Sequence, residues 1–227
     1  MRILATVAIA AGLLGAAAWA EEPTLSVEAA VAEAKTRMAA AAAFACDLQD
    51  KPCLNRELAR RYENDQWVRK ILFKVCAGEN FAECPLVPVW QELDKANLSR
   101  VDAVLTVHGW PAGEGWSKDA ELAAWFVVQH TPQGWAKDWK PSVLPEVRKA
   151  VAAGRLTGWH YAAMYDRFEQ HQGRQQLYGT QSFCPDGFGH PCRLFPLADA
   201  GKVNALRAEL GMEPLSAEAI AGARNDR

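Results

Sequence analysis

The chain has 227 residues and a formal net charge of −2, with 25 Lys and Arg against 27 Asp and Glu. It holds no Lys/Arg block, which argues against nucleic acid or an anionic membrane surface as a partner, since both demand concentrated positive charge. Half of the residues are hydrophobic, enough to bury a sizeable core without help from a metal or cofactor, and neither is predicted.

Residues 1–20 read as a signal peptide. Met1-Arg2 is a basic start, "ILATVAIAAGLLGAAA" an uncharged apolar run, and Ala18-Trp19-Ala20 a small-x-small cleavage pattern. A membrane anchor needs about 20 apolar residues and a stop-transfer flank, so no membrane span is expected in the mature chain. The expectation is a periplasmic or secreted protein whose residues 21–227 form a single helical domain. All six cysteines lie in that exported part and fall into three close pairs. The predicted bridges are Cys46–Cys53, Cys76–Cys84 and Cys184–Cys192, each closing a short loop in an oxidising compartment. The spacings are wider than zinc knuckles, and no histidine pair has a metal-binding arrangement, so no metal is expected.

The elements follow in chain order. "SVEAAVAEAKTRMAAAAAFACDL" predicts a helix from its alanine content and acidic first turn. "LNRELARRYENDQWVRKILFKVCAG" repeats apolar residues at three- and four-residue steps and stops at Gly78. Within it Asp65 and Arg69 stand four apart, which predicts an intrahelical ion pair. "VPVWQELDKANLSRVDAVLTVHGWP" is next. If unbroken, it lines up Asp94, Asn97, Val101, Leu105 and His108; a cap at Asn97 or Ser99 would break that face. His108 in the last turn suits the helix dipole, and Gly109 suits the stop.

"SKDAELAAWFVVQHTP" starts at a Ser117 cap and stops before Pro132. Its His130 follows Trp125, Phe126, Val127 and Val128, a half-buried setting that makes it the first choice among the histidines for chemistry. "SVLPEVRKAVAAG", "TGWHYAAMYDRFEQHQG" and "DAGKVNALRAELGMEPL" complete the helices, with minor strands expected near Gln176–Gln181 and Leu194–Leu197. The fold class is therefore all-α, with at most a short β-hairpin and disulfide-stapled loops. Nine tryptophans, several near loops, fill gaps between helix ends or line a groove.

The densest polar stretch is "YDRFEQHQGRQQLYGTQ", Tyr165 to Gln181. Asp166, Arg167, Tyr178 and Gln181 are expected to converge where the "YGTQ" turn folds back on the "YDR" helix, with His130 arriving from a neighbour. The cluster reads equally as a buried knot that docks a loop and as the floor of a pocket.

These motifs carry a resemblance. "DQ..R" at Asp65–Arg69, "W..LD..N" at Trp90–Asn97, "HGWP" at His108–Pro111, "QH" at Gln129–His130, "YAAMYDR" at Tyr161–Arg167, "GRQQLYGTQ" at Gly173–Gln181 and "LRAELGMEPL" at Leu206–Leu215 stand in the order and spacing of a bacterial family. The chain resembles that family, domain of unknown function 6624, from about Leu58 to Leu215. It departs in having "GRQQ" where the family usually has "GRPQ". The resemblance implies a shared helical domain with a shared polar centre, and no activity.

Two functional readings follow. The one placed ahead is a cell-envelope binding or structural module, with a small polar ligand or an envelope protein as partner. Its ligand-binding candidates are Asp65, Arg69, His108, Arg167, Tyr178, Thr180 and Gln181. The alternative is a hydrolase with His130 or Asp166 as general base and Arg167, Tyr178 and Gln181 orienting the substrate.

Overall fold

The structure is a computed structural model that describes residues 25–76, 81–131, 140–183 and 192–223. The signal-peptide expectation falls outside these residues, as does Cys184 of the third cysteine pair. Two of the expected bridges, Cys46–Cys53 and Cys76–Cys84, are formed.

Eight α-helices appear among the described residues: α1 Val27–Ala43, α2 Lys51–Val75, α3 Leu86–His108, α4 Lys118–His130, α5 Lys140–Ala152, α6 Gly158–His171, α7 Val203–Glu209 and α8 Ala217–Ala221. A single 3₁₀ turn, Phe81–Glu83, precedes α3. Strands β1 (Ser182–Phe183) and β2 (Arg193–Leu194) pair antiparallel with Ser182 opposite Leu194, and Gln176 bridges to Leu197. The fold class is thus the all-α one, with one small hairpin near the two expected strands.

The helix ends follow local chemistry. Ser26, Asp50, Ser117 and Ser216 each accept a backbone N–H of the first turn with the side chain. With its N-cap at Asp50, α2 starts at Lys51, three residues before the expected Leu54. α1 stops at Ala43, short of the expected Leu48, because Cys46 is held by its bridge to Cys53 and its N–H donates to Glu57. α3 is unbroken: Asn97 and Ser99 lie inside it, so Asp94, Asn97, Val101, Leu105 and His108 do share one side. α8 was not expected; its cap, Ser216, follows Pro214 in a stretch too short for a periodic signal.

Two apolar clusters divide the helices. One gathers Ala30 and Ala34 of α1, Val68, Ile71 and Leu72 of α2, and Leu86, Val89 and Leu93 of α3. The other gathers Leu54 and Leu58 of α2, Val101 and Val104 of α3, Trp125 and Val128 of α4, Val147 of α5 and Met164 of α6. α2 and α3 contribute to both, and their apolar stripes break at the same level. Between Leu58 and Val68 stand buried Arg61, Asn64 and Asp65; between Leu93 and Val101 stand Asp94 and buried Asn97. A third, smaller cluster packs Leu197 and Val203 against Leu194, Leu215 and Ile220.

Among the described residues no helix is long and apolar enough to cross a membrane. One close approach fixes the C-terminal part: a Cβ on Gly158 would stand 1.9 Å from the Leu210 carbonyl oxygen, so α6 can start there only as glycine.

Candidate functional site

The break in the two apolar stripes is filled by charge. Arg69 of α2 lies between two carboxylates. Its Nε donates to both oxygens of Asp65, at 3.0 and 3.1 Å, and its Nη2 donates to Asp94 of α3 at 2.7 Å. The predicted Asp65–Arg69 ion pair is therefore real, and it is buried and extended by a second acid. The Trp90 ring covers the guanidinium at 5.1 Å. Gln66 donates a further bond to Asp65, and Arg61 donates to Asn97.

His130, the last residue of α4, brings Nδ1 to 3.3 Å from Asp65 Oδ2. That contact is within ion-pair reach, but Nδ1 is left without a hydrogen-bond partner among the described residues. One fifth of the His130 side chain is exposed, against 2% for Asp65. Arg167 of α6 completes the group: its charge acts on both Arg69 and His130.

The electrostatics follow from crowding in a dry place. Burial pushes Asp94 up to about 7, with the neighbouring Asp65 carboxylate adding to the shift and Arg69 opposing it. Burial also works to raise Asp65, but His130 and Arg69 outweigh it and hold that carboxyl below its ordinary value. Burial lowers His130, Arg69 and Arg167 lower it further, and Asp65 only partly offsets them, so the imidazole is neutral at pH 7. Burial and the Arg69 charge lower Arg167.

Among the described residues, the buried side-chain polar atoms without a hydrogen-bond partner are Trp90 Nε1, Asn97 Nδ2, Gln129 Oε1, His130 Nδ1 and Arg167 Nε. Four of the five belong to this group of residues. Asp65, Asp94, Asn97, Val127, His130 and Thr131 line the crevice between them, which is too narrow for a water molecule. Any ligand must therefore contact the rim, where His130 is partly exposed; Arg167, whose charge bears on His130, is partly exposed as well. Among the described residues no group of three His, Cys, Asp or Glu side chains is placed to hold a metal ion.

The other predicted residues form a separate centre. Asp166 is fully buried, and its two oxygens accept four bonds: Leu177 N–H at 2.8 Å, Tyr178 N–H at 3.1 Å, Thr180 N–H at 3.0 Å and Thr180 Oγ1 at 2.8 Å. The "YGTQ" turn does fold back on the "YDR" helix, as expected. Gly179 makes this possible with φ +65°, and a Cβ there would stand 2.6 Å from Leu215 Cδ1. Gln181 donates to the Ala163 carbonyl, as does Gln129 of α4. Tyr178 packs edge-on to Tyr161 and Tyr165, and burial pushes its hydroxyl up to about 12.

His130 faces Asp65 in the first centre, with no hydrogen bond to this turn among the described residues. Arg167, one residue from Asp166, goes with His130, since consecutive helical positions point about 100° apart. His108 joins neither centre. Its imidazole is bound to the Leu48 carbonyl and lies edge-on to Trp116. It lines a roomier groove, about 530 Å³, with Asp102, Trp110 and Glu146.

Asp94, Asn97 and Trp90 were not singled out as site residues. The available signal was their spacing: three helical positions at 90, 94 and 97 in the "W..LD..N" motif, one turn apart on α3.

Neither the curated proteins nor the solved structures hold a match to this chain. One family model does match, over residues 52–221, and its span includes every residue of both centres. The chain belongs to the family of unknown function DUF6624.

Proposed function

We propose that the protein is an exported, single-domain binding module of the cell envelope that takes a small oxyanion, a carboxylate or phosphate group, at the rim between Arg167 and His130. The observation that carries this reading is the Arg167 guanidinium. Its Nε is buried without a partner beside a second arginine that already serves two carboxylates. A buried charged donor left unpaired costs about 1–3 kcal/mol or more, which a purely structural residue would not retain. A planar oxyanion can take two parallel bonds from guanidinium and would remove that cost. With Asp94 pushed up to about 7, its negative charge is only partly present at neutral pH, so the two guanidiniums outweigh the carboxylates around them. Export is supported by the leader-like first twenty residues and by the two bridges. Asp166, Tyr178, Thr180 and Gln181 serve this reading from behind, as the frame that holds α6.

Calorimetric titration with inorganic phosphate, acetate and glutarate tests it. At least one anion should bind to the wild type. Arg167→Ala should abolish that binding, and Arg167→Lys, which keeps the charge without the fork, should weaken it. Binding that survives Arg167→Ala unchanged, or no binding by any of the three, would refute the reading.

A further inference from the structure

The arrangement of His130 goes beyond what anion binding requires. One ring nitrogen, Nδ1, is turned to Asp65, at 3.3 Å from Oδ2. The other, Nε2, points away from that carboxylate, and a fifth of the side chain reaches solvent. Asp65 cannot swing away, because Arg69 holds both its oxygens and Gln66 holds one, while Arg69 is itself tied to Asp94 on α3. A carboxylate fixed behind one imidazole nitrogen, on a histidine whose side chain is partly exposed, is the arrangement of a general base whose tautomer is set by its neighbour. The contact is long, as such contacts often are in an empty site.

We propose that His130 is a general base that activates water against an ester or amide of a carboxylate-bearing molecule, that Asp65 is its positioning residue, and that Arg167 anchors the substrate's carboxylate. The proposal rests on the anion reading above. In the step, the water oxygen bonds to the acyl carbon while its proton passes to His130 Nε2. The imidazolium that forms is held by the Asp65 carboxylate. The acyl bond to the leaving oxygen or nitrogen then breaks, and the leaving atom takes that proton from His130. The products are an acid and an alcohol or amine, and His130 returns to the neutral state. No oxidant, metal or second reactant is needed.

The charges around His130 fit this cycle. Asp65 and Arg69 face it from α2, Asp94 from across the crevice on α3, and Arg167 from α6. Burial and the two guanidiniums keep the resting imidazole neutral, and so able to accept a proton at pH 7. Asp166, the other predicted base, is spent on four hydrogen bonds and has no exposed oxygen to offer.

The test uses the 4-nitrophenyl monoester of glutaric acid, with glutarate binding measured in parallel. Wild type should release nitrophenolate faster than the His130→Ala variant by about 100-fold or more. Its rate should rise with pH through the His130 ionisation, below the ordinary histidine value. Asp65→Asn should lower the rate and shift that profile, and should change the tautomer of His130 seen by nitrogen NMR, which a merely structural role would not do. Asp65→Glu should recover part of the rate. A cooperative thermal melt of His130→Ala, with the far-UV circular dichroism of the wild type, shows that the variant is folded. If glutarate binds but wild type and His130→Ala release nitrophenolate equally, the base proposal falls and the anion reading stands. If glutarate does not bind, both fall.

Discussion

Asp166 and Asp65 are both carboxylates buried on helices, with 0% and 2% exposure, yet they are opposites in every other respect. Among the described residues Asp166 has no cation bonded to it, and it needs none. Three backbone N–H groups and one hydroxyl saturate it, and it closes a turn onto α6. Asp65 sits among two arginines, a second acid and a histidine, and the buried donors around it are left over. Burial alone therefore does not separate structural acids from functional ones. The surroundings do: the bonds around Asp166 are closed, whereas Asp65, itself held by Arg69 and Gln66, stands beside His130 and Arg167 atoms left without a partner, which have capacity for a ligand.

The comparison is most easily broken at Asp166. Asp166→Asn keeps the shape but turns an NH₂ against donors that need an acceptor, and should destabilise the protein by about 3–4 kcal/mol in denaturant melts. A loss below about 1 kcal/mol would mean that the turn is held by something else.

At the other centre, Asp94 is pushed up to about 7 by burial, so the folded protein binds a proton that the unfolded chain releases near the ordinary value of 3.8. This contribution to stability is full below that value and is lost as pH rises through about 7. Its slope is at most about 1.4 kcal/mol per pH unit. Asp94→Asn should flatten this part of the stability–pH curve, measured by urea melts from pH 4 to 8. His130 has the opposite sign. Its value is lowered on folding, so its contribution is full above the ordinary 6.5 and is lost as pH falls below it. An unchanged slope in Asp94→Asn would show that Asp94 is already ionised in the fold.

The smallest effect is expected at Arg167. Arg167→Met removes a buried, unpaired charge while keeping bulk, so stability should be unchanged or higher by about 1 kcal/mol. Anion affinity in the wild type should also fall as pH rises through 7, because ionised Asp94 cancels the surplus positive charge.

Much of this was legible in the sequence. Seven helices, two bridges, the Asp65–Arg69 pair and the folding of the "YGTQ" turn onto the "YDR" helix follow from spacing, caps and glycines, all of which act locally. The partner of His130 was not legible. Its helix phase says that it is half-buried, but choosing Asp65 over Asp166 depends on how α4 packs against α2 and α6, which no local signal encodes. Asp94 was missed for the same reason. Only an unbroken α3 brings it to Arg69, and Asn97 and Ser99 offered a plausible break in the helix. Arg167 was grouped with its sequence neighbour, although one helical step sends the two side chains to different centres.

The claim that one centre is closed and the other open is tested most directly by thermal melts of wild type, Asp166→Asn and Arg167→Met, each with and without saturating glutarate. Wild type should melt higher with glutarate. Asp166→Asn should start much lower and gain the same increment, while Arg167→Met should start at or above wild type and gain none. If Arg167→Met starts as low as Asp166→Asn, or gains the wild-type increment, the account is contradicted.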